Sequence, residues 1–312
     1  AAQASVHVVI VPTLVTADDR PDLSSLTAAV EAIGAGLSAG DTVVIESTVP
    51  PGTCRDHVRP LLAAESGLDP GTFGLAFCPE RTASGRALQD IRSSYPKIVG
   101  GIDAESTRVA RLIYGEITDN DVIPVADCTT AEAVKVFEGL YRDVNIALAN
   151  ELAQFAGELG IDTREAITAA NTQPFCDIHD PGPGVGGHCI PYYPYFMING
   201  CETDAPLLRQ ARAINEGMPG VTVETVEQAL SSRGRSLSDA AVLLLGVTYR
   251  PGVDETRASP AIAIADGLQS TGATVYAADP VCTDMSVVDA IPTAVADIPS
   301  LDLDAAVLVT DQ

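Results

Sequence analysis

Thr42-Val-Val-Ile-Glu-Ser-Thr48 is a short apolar run that turns polar at its end, and Val49-Pro50-Pro51-Gly52 stops it. A bounded apolar run of this length reads as a buried strand. Upstream, Val6-His-Val-Val-Ile-Val-Pro12 reads as another buried strand, and Pro21-Asp-Leu-Ser-Ser-Leu26 opens a helix whose apolar residues recur to Leu37. Downstream, a helix over about 54–65 and a strand over about 73–78 follow. Strand, helix, strand, helix, strand predicts a parallel sheet with crossover helices.

Ile98-Val-Gly-Gly101, a helix over about 104–115 and Val122-Ile-Pro-Val125 complete this unit. Helical patterns then run over about 129–158, 162–171 and 205–231. Ala240-Ala-Val-Leu-Leu-Leu-Gly246 begins a second α/β unit, with a helix over about 259–270 and strands at Thr274–Ala278 and Ala305–Val309. The expected architecture is two α/β units flanking a helical middle, with domains at 1–126, 127–215 and 216–312. The chain opens on what reads as a later strand of its first unit and stops just after a strand, so the expectation is a chain whose first βαβ portion is missing.

Composition narrows the function. Hydrophobic residues make up 46% of 312 positions, enough for packed domains, and no apolar run reaches membrane-spanning length. A net charge of −24 leaves no basic patch to meet phosphates, which argues against nucleic-acid binding and fits adaptation to high salt. Seven cysteines are scattered without disulfide or metal-ligand spacing, so a reducing cytoplasm is expected and no metal site.

Lysine usage is informative. Of eighteen Lys and Arg residues only Lys97 and Lys135 are lysine, leaving sixteen arginines. Lysine can give up its proton where arginine cannot, so a retained lysine is a candidate for chemistry. Lys135 lies in the helical Ala131-Glu-Ala-Val-Lys-Val-Phe-Glu138 and is the candidate; Lys97 reads as a solvated surface residue.

Gly182-Pro-Gly-Val-Gly-Gly-His-Cys-Ile-Pro191 presents Cys189 from a loop with almost no side-chain bulk. A thiol so placed reads as a nucleophile for a carbonyl carbon, with a buried structural cysteine as the plainer alternative. Gly182, Gly184 and Gly187 also satisfy G-x-G-x-x-G, but Cys176-Asp-Ile-His-Asp-Pro181 before them and Pro191 and Pro194 after them fit neither a strand nor a helix, so the match is rejected.

Together these segments resemble the UDP-glucose/GDP-mannose dehydrogenase family over essentially the whole chain. The landmarks are Glu46–Gly52, Cys78-Pro-Glu-Arg81, Ala131–Lys135, the cysteine loop and Gly246-Val-Thr-Tyr-Arg-Pro-Gly-Val-Asp-Glu-Thr-Arg-Ala-Ser-Pro260. Arg142-Asp-Val-Asn-Ile-Ala147, Gly187-His-Cys-Ile190 and Ile214-Asn-Glu-Gly-Met-Pro219 resemble the branch acting on UDP-N-acetylhexosamines such as UDP-N-acetyl-D-mannosamine.

The resemblance implies two Rossmann-like parallel-sheet domains joined by a helical middle domain. It also implies two-step oxidation of a sugar C6 alcohol to a carboxylate with NAD, and a homodimer paired through the long middle helix. Cys189, Lys135, Glu80 and Thr48 take the catalytic positions: nucleophile, oxyanion partner, carboxylate for thioester hydrolysis and holder of a water. Pro12, Thr13, Ser47, Thr48, Glu80 and Arg257 fall at cofactor positions. Arg142, Asn145, Gly186, Gly187, His188, Tyr249 and Arg250 fall at substrate positions, with Arg250 and Arg257 suited to a diphosphate. Asn150 and Glu151 line or support the sugar site. Three positions depart from the family pattern: Gly139 for an asparagine, Tyr193 for an aspartate and Ser84 for a glutamate. A UDP-glucose 6-dehydrogenase and a nucleotide-sugar-binding module without turnover are the competing readings.

Overall fold

The structure, a computed structural model, describes residues 3–83 and 85–312, so the departure at Ser84 lies outside the described residues. It divides into two compact units, Ala1–Gly139 with Tyr192–Asp204 and Leu140–Pro191 with Ala205–Gln312.

The first unit contains β1 (Val6–Val9), β2 (Leu14–Val15), β3 (Pro21–Asp22), α1 (Ser24–Gly34), β4 (Thr42–Ile45), α2 (Arg59–Ser66), β5 (Gly74–Phe77), the short α3 (Ala87–Gln89), β6 (Lys97–Gly101), α4 (Ala104–Gly115) and β7 (Val122–Pro124). The long α5 (Cys128–Leu159) belongs to it as far as Gly139. The main sheet has the order β1-β4-β5-β6-β7. β4 is buried at every position, as its uninterrupted apolar run predicts, and its Val43 and Ile45 pack with Leu26, Val30, Leu62 and Phe77 in the largest core cluster of the unit. An Asp103 cap starts α4, its carboxylate accepting from the Ser106 amide at 2.7 Å.

Four sequence expectations need correcting. β6 runs antiparallel to β5, so the sheet is not wholly parallel; strand alternation along a sequence does not report direction. β1, which pairs with β4 alone among the described residues, is buried only on alternate residues: His7 and Val9 lie on its covered face, and Val6 and Val8 are exposed on the other. Pro21 and Asp22 pair antiparallel with Leu14 and Val15, and the helix begins after them at Ser24. Lys97 is not a surface lysine: it is 5% exposed, and its ammonium sits 5.2 Å from the centroid of the Tyr114 ring. Both lysines of this acidic chain are therefore interior residues.

Beyond α5 come α6 (Thr163–Ala170) in the second unit and α7 (Tyr193–Ile198) in the segment that returns to the first. The second unit continues with α8 (Pro206–Ser231), β8 (Ala241–Leu245), α9 (Pro260–Ser270), β9 (Thr274–Ala278), β10 (Ile291–Pro292) and β11 (Ala305–Leu308). Its sheet, β10-β9-β8-β11, is parallel at every pairing. Val242 and Leu244 of β8 pack with Ile264 and Leu268 of α9 and with Leu230 of α8. No helix among the described residues is long and apolar enough to cross a membrane.

Candidate active site

In the first unit, three expected residues collect where β4 and β5 end. Thr48 lies three residues past β4 and Glu80 three past β5, and the two exits are stitched by the Glu80 amide donating to the Glu46 carbonyl at 3.3 Å. One Glu80 oxygen accepts from the Thr82 amide; the other stands 3.7 Å from the Lys135 ammonium. Lys135 is 8% exposed and Glu80 half-buried, so this ion pair is partly sheltered from water. Arg81 pairs with Glu138 at 2.6 Å.

The side chain that sets α5 against these strand ends was missed by the sequence analysis. Glu132, with no exposed surface, accepts from the Gly52 amide at 2.5 Å and the Cys54 amide at 2.7 Å. It thereby closes the turn that follows Thr48. Burial pushes its carboxyl above the usual range, and the two amides pull the other way. Gly52 has φ +100°, a conformation that favours glycine. The available signal was an acidic residue flanked by alanines, three positions before Lys135 on a helix.

At the exit of β1, the Ser47 hydroxyl accepts from the Val11 amide at 2.7 Å, which joins this exit to that of β4. Thr13 follows Pro12 there; its hydroxyl oxygen is buried with no hydrogen-bond partner among the described residues.

The fourth member of the first-unit cluster is Tyr193, at the start of α7. Its hydroxyl donates to Thr48 Oγ1 at 3.1 Å.

In the second unit, the cysteine loop rests on the segment after β8. The Gly187 amide donates to the Arg257 carbonyl at 2.9 Å. Gly187 has φ +94°, and a Cβ on it would come within 2.8 Å of the Tyr249 ring; one on Gly186 would come 2.7 Å from Tyr249 Cβ and 2.8 Å from the Ala258 carbonyl oxygen. His188 pairs with Glu255. Gly186, Gly187, His188, Tyr249 and Arg257 are thus brought together, with half-buried Cys189 next along the chain. No strand immediately precedes Gly182 and the next helix starts at Tyr193, which agrees with rejecting the dinucleotide fingerprint.

The loop's start is fixed by Asn150, whose buried Oδ1 accepts from the Gly182 amide at 2.8 Å while its Nδ2 donates to Asn215 at 2.9 Å. Asn145 supports the segment before it, donating to the Asp177 carbonyl at 2.7 Å and accepting from the His179 amide at 2.9 Å. Arg142 and Glu151 are exposed on α5. The segment carrying Arg250 is organised by Asp279, whose carboxylate accepts from four amides, Val247, Thr248, Val281 and Cys282, at 2.7–3.0 Å. Partial burial opposes ionisation of Asp279, but these amides outweigh it and hold the carboxyl below its usual range. Cys189 and its loop belong to the second unit; Thr48, Glu80 and Lys135 belong to the first.

Comparison with known proteins agrees with the resemblance. Profiles of the UDP-glucose/GDP-mannose dehydrogenase family match in order: the NAD binding domain over residues 1–118, the central domain over 129–217 and the UDP binding domain over 243–312. UDP-N-acetyl-D-mannosamine dehydrogenase of Pyrococcus horikoshii is 38% identical over 278 residues, which is 89% of this chain and 66% of that protein. An NDP-N-acetyl-D-galactosaminuronic acid dehydrogenase of Ralstonia solanacearum is 36% identical over 268 residues, covering 84% of this chain and 62% of that one. The chain therefore spans about two thirds of the length of the curated relatives it matches. A solved UDP-D-ManNAc dehydrogenase structure from P. horikoshii superposes with TM-score 0.91 at 36% identity, over 99% of this chain and 71% of that one. With three successive family domains and a relative this similar along nearly its whole length, the chain belongs to the UDP-glucose/GDP-mannose dehydrogenase family.

Proposed function

We propose that this protein oxidises the C6 alcohol of a UDP-N-acetylhexosamine to the carboxylate, with UDP-N-acetyl-D-mannosamine as the substrate that the names of its relatives favour. The observation that carries the reading is the Thr48–Glu80–Lys135 grouping at the strand ends, built around one of only two lysines in the chain.

The first unit fits NAD. Dinucleotides bind at the carboxyl ends of parallel strands, and there the Thr13 hydroxyl is buried without a partner among the described residues. Pro12, Thr13, Ser47, Thr48 and Glu80, with Arg257, would hold the cofactor. Bound NAD⁺ supplies the hydride acceptor for each of the two oxidations.

Cys189 acts on the aldehyde left by the first oxidation. Its sulfur bonds to the carbonyl carbon as the C=O π bond breaks, and the thiol proton ends on the oxygen, giving a thiohemiacetal. Loss of a hydride from that carbon and of the proton from its oxygen leaves a thioester. Water then breaks the C–S bond, returning the thiol and releasing the carboxylate and a proton. Lys135 steadies the negative charge that develops on the oxygen, Glu80 takes the proton of the attacking water, and Thr48 holds that water. Arg250 and Arg257 pair with the diphosphate, while Arg142, Asn145, Gly186, Gly187, His188 and Tyr249 form or support the sugar and nucleotide contacts.

The reading extends to a cytoplasmic homodimer paired through α5. Tyr141, Leu148 and Phe155 recur every seven residues and Leu159 follows four later, at 53%, 46%, 52% and 71% exposure. An apolar stripe at this spacing is what one helix buries against another.

The test is to mix the protein with NAD⁺ and each UDP-sugar and follow NADH absorbance. Two NADH per N-acetylhexosamine are expected. Preference for UDP-glucose would move the substrate assignment, and sugar binding without NADH would favour a binding module. Cys189→Ala should abolish acid formation, a loss on the order of a thousandfold or more; acid formed at an unchanged yield would rule out the covalent route. Sedimentation should give a dimer, and a monomer at high salt would contradict the α5 pairing.

A further inference from the structure

Gly139 and Tyr193, two departures from the family pattern, form a single structural feature. Gly139 lies on α5 one turn beyond Lys135, on the same helical face. Glycine inside a helix costs stability relative to alanine, and here it is also buried, so a reason in packing is expected. The reason is the tyrosine. A Cβ on Gly139 would stand 2.9 Å from Tyr193 Cδ2 and 3.4 Å from its Cβ. The ring occupies the space that a side chain at 139 would fill. Tyr193 is 8% exposed and its ring lies 5.6 Å, centroid to centroid, from that of Phe196. Held this way, its hydroxyl meets Thr48.

We propose that Tyr193 is a positioning residue for the oxidation, acting through Thr48, and that Gly139 is the notch that seats its ring. The inference rests on the dehydrogenase function proposed above. Its chemistry follows from the direction of one hydrogen bond. A threonine hydroxyl that accepts from a phenol keeps its own proton to donate. Tyr193 thereby fixes the Thr48 rotor and commits its proton to a second acceptor, the substrate oxygen or the attacking water. Donation from the phenol also polarises the Thr48 hydroxyl and strengthens it as a donor. An aspartate at position 193 would be an acceptor when ionised and would orient the Thr48 proton towards itself. The tyrosine thus reverses the role of Thr48 rather than merely filling space.

A role limited to packing is separated from positioning by removing the hydroxyl alone. Tyr193→Phe keeps the ring in its notch. It should lower kcat on the order of tenfold to a hundredfold and leave KM for the sugar and for NAD⁺ within about twofold. The melting temperature should stay close to that of the wild type. Gly139→Ala displaces the ring, so it should lower both kcat and the melting temperature. In the Tyr193→Phe background the same change should lower the melting temperature again but kcat by no more than about twofold, since the hydroxyl it would misplace is already gone.

Wild-type kcat in Tyr193→Phe would overturn the inference, as would equal kcat losses from Gly139→Ala in both backgrounds. A wild-type protein that makes no NADH from any UDP-sugar would instead overturn the dehydrogenase function, and this inference with it.

Discussion

Each unit holds one carboxylate that gathers backbone amides after a central strand, and the two respond to protons in opposite senses. Glu132, in the first unit, is fully buried and accepts from two amides; its carboxyl is pushed up. Asp279, in the second, is half-buried and accepts from four; its carboxyl is held down. The difference follows from the balance of burial against donors. Two amides do not repay the loss of water around Glu132, whereas four do so around Asp279, which has lost less. The first turn is a dry clamp fixing α5, and with it Lys135, against the strand ends. The second is a wetter clamp on the segment that carries Tyr249 and Arg250.

The comparison breaks first at Glu132. Glu132→Ala leaves the Gly52 and Cys54 amides buried and unpaired and opens a cavity, so a loss of about 3–5 kcal/mol is expected by urea unfolding. A loss below about 1 kcal/mol would show that water enters this turn and that it is not dry. Asp279→Asn should cost less, about 2–3 kcal/mol, because water can reach some of the four amides. If it costs more than Glu132→Ala, the ranking of the two clamps is wrong.

The legible part of the molecule was the part encoded locally. β4 and β8 showed as unbroken apolar runs, α4 and α9 began and ended close to where their patterns placed them, and the second α/β unit was visible from Ala240 onward. Lysine scarcity pointed to Lys135, which the structure sets beside Glu80.

What escaped depends on pairing across the chain. The antiparallel β6 was invisible because strand direction is decided by where a crossover lands. Lys97 looked solvated because nothing nearby in sequence announces Tyr114, the ring it lies against. Gly139 and Tyr193 each looked like a lost functional group; fifty-four positions apart, they explain one another only once their contact is seen. Asn150 was expected to line or support the sugar site; the partner it holds, the amide of Gly182, is thirty-two positions away and has no sequence signal.

The smallest predicted effect sharpens the opening contrast most directly. Glu132 has a folded pKa above its unfolded one, so its contribution to stability is fully present below about pH 4.5 and declines as pH rises through the raised value. Asp279 has a folded pKa below its unfolded one, so its contribution is present above about pH 3.8 and disappears as pH falls through the depressed value. Many other carboxylates titrate over this range, so the raw stability profile does not isolate either group. The difference between wild type and a single variant does. Subtracting the urea-unfolding profile of Glu132→Gln from that of the wild type should leave a curve that falls with rising pH above 4.5. The same subtraction for Asp279→Asn should leave one that rises with pH below 3.8. The two difference curves should therefore slope in opposite senses. Two curves of the same sign would mean that burial does not separate the clamps, and the contrast would reduce to a count of donors.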